Sequence, residues 1–165
     1  MSHNVMTCAE LPEMALQQLL APYDLEVIEI SDAETLPGSF WGDPEAGLIA
    51  NRLYLRPSTP VQSALHEACH YICMDSGRRH QLHTDAGGDY DEENGVCYLQ
   101  ILLADRLAGM TSDRMMQDMD TWGYSFRLGS TRAWFERDAK DAKDWLIQHQ
   151  LLDQSGQVSW QLRTE

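Results

Sequence analysis

Ser58-Thr59-Pro60-Val61-Gln62-Ser63-Ala64-Leu65-His66-Glu67-Ala68-Cys69-His70-Tyr71-Ile72-Cys73-Met74-Asp75-Ser76-Gly77 is the stretch from which the rest of this chain can be ordered. Thr59 can cap a helix and Pro60 suits the first helical position, where its missing N–H leaves nothing unsatisfied; Gly77 supplies a stop. A helix is therefore expected over about 60–76. Within it His66 and His70 stand four apart, on one face, so their imidazole nitrogens can meet at a point about 2.1 Å from each. Glu67 directly follows the first histidine, where a carboxylate can take the proton of a water attacking a carbonyl. These residue types at this spacing point to one metal ion, with Glu67 as the candidate general base.

Two histidines are half a site. No histidine lies six residues after His70, where Ser76 stands, so the compact three-histidine arrangement is ruled out. A carboxylate from the next helix is expected instead. That helix is read over about 91–107 from Val96, Leu99, Leu102, Leu103 and Leu107, and its apolar sequence forces it into the core beside the motif helix. Glu93 is the first choice for third ligand and Glu92 the second, while Asp91, Asp85 and His83 stay open. Acidic residues also suit a helix start for its own dipole, which accounts for whichever glutamate is not a ligand. Residues 77–90 read as a long polar loop beside the site, in which Arg78, Arg79, His80, His83 and Tyr90 could hold a substrate carboxylate or an oxyanion. Tyr124 could donate from its phenol, although its apolar neighbours suit packing.

Elsewhere the pattern gives a mainly helical α+β single domain with a small antiparallel sheet flanking the motif helix. Thr7-Cys8-Ala9-Glu10 has capping-box form and leads into a first helix ending near Pro22. Residues 25–30 and 48–55 read as strands, with a loop through Pro37, Gly38, Gly42 and Pro44 between them. Thr111 or Ser112 starts a helix carrying Met115, Met116 and Met119 to the core. Trp134 to Gln150 reads as one amphipathic helix, and residues 158–162 as a last short strand.

The 165 residues carry a formal net charge of −14. Such a chain repels phosphate backbones and anionic bilayers, so nucleic acid and membranes are not expected as partners; a peptide or protein substrate is. No apolar run has the length of a span and no secretion signal is seen, so a soluble, cytoplasmic protein is expected. Four cysteines, Cys8, Cys69, Cys73 and Cys97, are too few and too irregular for a disulfide framework and are read as buried thiols.

His66-Glu67-x-x-His70 resembles the zincin metallopeptidases, in particular gluzincins, in which a glutamate of a following helix completes the site. The order from Asn51-Arg52 through Ser63-Ala64-Leu65-His66-Glu67, then His70 and Arg78-Arg79, is similar to the elongation factor P hydroxylase family. That resemblance covers about a third of the chain and implies a metal-dependent hydroxylase acting on a modified lysine of a translation factor, again with His66 and His70 as ligands. Glu92-Glu93-Asn94-Gly95-Val96-Cys97-Tyr98 departs from that family's pattern, so the third ligand is not carried over. The expectations are, in order, a zinc-dependent hydrolase of peptidase type, an iron-dependent protein hydroxylase, and a non-catalytic module in which the ion only joins two helices.

Overall fold

In the computed structural model, residues 4–34, 46–82 and 87–164 are described. The motif helix is its axis. This helix, α2 (Val61–Cys73), buries eleven of its thirteen residues, so it is covered on nearly every side. It begins one residue later than the proline signal suggests. Pro60 is the N-cap, and the Thr59 hydroxyl takes the backbone N–H of Arg56 (2.8 Å), tightening the turn that enters the helix.

β1 (Glu26–Glu29), β2 (Gly47–Ile49) and β3 (Arg52–Leu55) form a sheet of order β1-β3-β2 against α2. The antiparallel expectation is corrected here: β2 and β3 pair antiparallel, but β1 runs parallel to β3, with Glu26 opposite Arg52. The single strand expected over 48–55 is in fact the β2–β3 hairpin. Its turn places Ala50 at φ 51°, with the Ala50 N–H held by the Leu82 carbonyl at 3.1 Å. A left-handed alanine carries no turn signature of the Asn-Gly kind, which is why the bend is not visible in the sequence. The loop expected around 37–44 lies outside the described residues.

The second core helix is α4 (Tyr90–Ala104), started by Asp89, whose carboxylate takes the Glu92 N–H at 2.9 Å. It packs on α2, on α5 (Ser112–Trp122) and on α7 (Lys140–Gln148). Thr111 caps α5 as expected, and Met115, Met116 and Met119 are buried.

Other expectations give way. The Thr7–Glu10 capping box forms, but it closes a short 3-10 turn (Cys8–Glu10), and α1 (Ala15–Leu20) starts separately after Pro12. The 77–90 loop contains α3 (Ser76–His80), so Gly77 lies inside a helix and stops none. The helix expected over 134–150 is two: α6 (Thr131–Arg137) and α7, parted at Asp138, whose carboxylate is held by Arg127. Residues 158–162 form no strand, and Val158 makes only an isolated bridge to Leu152. One continuous apolar core joins sheet and helices, which is the α+β, mainly helical architecture the pattern implies. Among the described residues, no helix is long and apolar enough to cross a membrane.

Candidate metal centre

The four-residue spacing acts as the helix geometry requires. His66 and His70 direct their Nε2 atoms to within 3.2 Å of each other, with the rings edge to face. Glu93, in the first turn of α4, brings Oε1 to 3.1 Å from the Nε2 of His66 and 3.3 Å from that of His70. Atoms bound about 2.1 Å from one ion stand about 3.0 Å apart across an octahedral face and about 3.4 Å apart on a tetrahedron. The triangle falls between those limits, so its size and its donor set could hold one metal ion. It is the one group of three or more histidine, cysteine and carboxylate ligands found among the described residues.

The electrostatics agree. Burial raises the Glu93 pKa, but hydrogen bonds from His66 and His70 and the charge on those rings outweigh it and hold the carboxyl well below its usual range. For His66, burial disfavours the protonated ring, yet Tyr124, Cys97 and Glu93 overcome that and leave its pKa well above the usual imidazole value. Positive charge is favoured at the point where the three atoms meet.

Glu92, the second choice for third ligand, is not part of this group. It is buried, with Oε2 at 2.6 Å from Arg78 Nη2 and Oε1 at 3.0 Å from Arg163 Nη1. Asp91 is exposed, is not part of the ligand triangle, and lines a neighbouring cavity with Tyr90, Asp138 and Asp141. His83 and Asp85 lie outside the described residues. Glu67 is half-buried on α2, and its charge is felt by the Tyr124 phenol.

The two arginines proposed for substrate have structural partners. Arg79 donates to the carbonyls of Tyr71 (2.9 Å), Met74 and Arg163 (2.8 Å), and Arg163 donates to those of Ile72 (3.1 Å) and Cys73 (3.1 Å). Together they satisfy carbonyls that the end of α2 leaves without intrahelical partners. Arg78 belongs to the Glu92 pair and to Asp75. His80 is exposed.

A cleft of about 490 Å³ opens from the His66 and Glu93 side of the triangle. Its far wall is the segment from Trp122 to Arg127, with Phe126 stacked on Trp134 at 4.6 Å. Tyr124 sets its ring edge-on to His66, centroids 5.5 Å apart. Burial pushes the Tyr124 phenol up to about 12, so it is a proton donor at neutral pH. Cys97 lines the same cleft, one turn along α4 from Glu93; all four cysteines are buried and free.

One site residue escaped the sequence reading. Gln100 is fully buried, and its Oε1 lies 3.0 Å from His66 Nδ1. The available signal was a single amide within the apolar run Leu99-Gln100-Ile101-Leu102-Leu103, since an amide buried among aliphatic residues needs partners. The cleft wall at 122–127 gave no such signal beyond Tyr124.

In comparisons with family models, with curated proteins and with solved structures, nothing matches this chain.

Proposed function

We propose that this protein is a single-metal enzyme, its ion held by His66, His70 and Glu93, acting on a peptide or protein segment bound in the adjoining cleft. The observation that carries the reading is the convergence of three ligand atoms, each 3.1–3.3 Å from the others, at the head of a cleft. A structural zinc is normally closed by four protein ligands. Among the described residues no fourth ligand joins the triangle, which favours chemistry over the purely structural alternative.

The first reading is a zinc-dependent hydrolase of peptidase type, in keeping with the gluzincin resemblance. Bound there, zinc would polarise a carbonyl and bring the pKa of a water to about 7. Glu67 takes the proton of the attacking water and returns it to the departing amine. Tyr124, still protonated, donates to the oxygen of the carbonyl as negative charge builds there. Glu67→Gln should retain the metal and abolish turnover of peptide substrates; full activity in that variant overturns this mechanism.

A second reading is favoured by the same donor set, because two histidines and one carboxylate also suit non-haem iron and its oxygen chemistry. It matches the longer resemblance over Asn51 to Arg79, and its product would be a side chain heavier by one oxygen atom. Metal analysis of protein purified without chelator or added metal, beside His66→Ala, separates the readings. Near-stoichiometric zinc that the variant lacks supports the hydrolase, and iron supports the hydroxylase. No metal in either sample overturns both.

A further inference from the structure

We infer that Gln100 is the positioning residue of this centre, fixing which nitrogen of His66 is offered to a metal; the inference rests on the metal-binding reading above. Besides a hydrogen bond with the Tyr124 phenol, the Gln100 amide makes three contacts in the closed interior between α2, α4 and α5. Its Nε2 lies 3.0 Å from the Gln62 carbonyl oxygen and 3.5 Å from the Met115 sulfur, and its Oε1 lies 3.0 Å from His66 Nδ1.

A backbone carbonyl only accepts, so the amide NH₂ must face Gln62 and the amide oxygen is left facing His66. That oxygen in turn accepts only, so His66 Nδ1 carries the proton. The lone pair of the neutral ring is then on Nε2, the atom that stands 3.1 Å from Glu93 and 3.2 Å from His70 Nε2. Register between α2 and α4 thereby sets the tautomer of a ligand: the Gln62 carbonyl belongs to the turn before His66, and Gln100 lies two turns beyond Glu93 on the helix that supplies the third ligand. The buried amide also holds the imidazole plane, since Nδ1 cannot leave Gln100 without leaving a buried acceptor unpaired.

The test compares Gln100→Leu with Gln100→Glu in the full-length protein, titrating zinc against a chromophoric chelator and recording thermal melts of the metal-free proteins. Leucine removes both the acceptor and the donor. Glutamate keeps the oxygen for His66 and loses the donor to Gln62. Gln100→Leu should bind zinc about 10–100-fold more weakly than wild type, the range for loss of an outer-shell partner. Gln100→Glu should recover most of that affinity even though its metal-free melt is lowered as well. Equal loss in both variants, following their melts, would make Gln100 a packing residue only and overturn the assignment, as would undiminished affinity in Gln100→Leu.

A second measurement needs no substitution. In ¹⁵N spectra of the zinc-loaded wild type, His66 should show a slowly exchanging proton on Nδ1; a proton on Nε2, or an Nδ1 proton in rapid exchange, overturns the inference. If wild type binds no zinc while remaining folded, the metal-binding reading itself falls and takes this one with it. If wild type binds zinc and His66→Ala does not, failure belongs to Gln100 alone.

Discussion

Glu92 and Glu93 are adjacent on one helix and meet opposite fates. Glu92 is buried with a guanidinium on each oxygen, from Arg78 and from Arg163, and that network also ties the end of α2 to the C-terminal segment. Glu93 keeps 46% of its side chain accessible and faces two imidazole nitrogens at the head of a cleft. One carboxylate has every partner supplied by the fold. The other sits in a group of acceptor and donor atoms that the fold brings together with one side open. Closure marks a structural cluster, whereas convergence with an open side is what the proposed metal site rests on.

The two carboxylates should differ most in what their loss does to stability. Glu92→Ala leaves Arg163, 17% accessible, without its carboxylate, and breaking a buried ion pair from one side costs about 3–5 kcal/mol. Arg78 is partly exposed and recovers some hydration, so the lower end is expected. For a chain of this size that corresponds to a fall in Tm of roughly 10 °C. Zinc affinity below the melting temperature should change little. Glu93→Ala should reverse the emphasis: loss of a direct ligand weakens zinc binding by more than the about 100-fold that an outer-shell loss can reach, while the metal-free melt falls by less than in Glu92→Ala, because Glu93 keeps 46% of its side chain accessible. Melts and zinc titrations of the two variants side by side break the comparison if both lose stability and affinity together.

How far the sequence could go follows from the same pair. The helix, both histidines and a candidate carboxylate near 92–93 were legible, because capping signals and a four-residue spacing are local. Choosing between Glu92 and Glu93 was harder, since one step along a helix rotates a side chain by about 100°. Of the two, Glu93 is the one the fold brings beside His66 and His70. What sequence could not supply is the crossing of α2 over α4 that gives Glu92 to Arg78 and Glu93 to the histidines. Arg79 looked like a substrate residue because its carbonyl partners, Tyr71 and Met74, carry no side-chain signal of their role. The parallel pairing of β1 with β3, and the cleft wall at 122–127, are likewise products of long-range packing.

Proton linkage sharpens the contrast at a smaller scale. Folding lowers the Glu93 pKa from 4.5, so its contribution to stability is present above that value and lost as pH falls through the lowered one. Folding raises the His66 pKa from 6.5, so its contribution is present below that value and lost as pH rises through the raised one. The metal-free protein should therefore draw most stability from this group between pH 4.5 and 6.5. Zinc requires the deprotonated ring, so its stabilisation grows in the opposite direction. Melts with and without zinc over a pH series should show the gap widening as pH rises toward the raised His66 value. A gap that is constant with pH would mean that His66 gives up no proton on binding.

The smallest effect probes the helix that carries both glutamates. Gly95 brings the α4 backbone against α7: a methyl group there would stand 2.7 Å from Trp145 Cε3. Gly95→Ala gains about 1 kcal/mol of helix propensity and meets an overpacking cost of about 1–3 kcal/mol. The net is a loss of about 1 kcal/mol, or roughly 3 °C in Tm. Arg163 lies over the Trp145 ring, 5.2 Å from its centroid, so the displaced indole presses on the closed Glu92 network and not on the triangle. Zinc affinity should accordingly hold within about threefold, well below an outer-shell loss. A larger drop in affinity than in stability would show that the two clusters are coupled through α4, and the separation drawn between Glu92 and Glu93 would then fail.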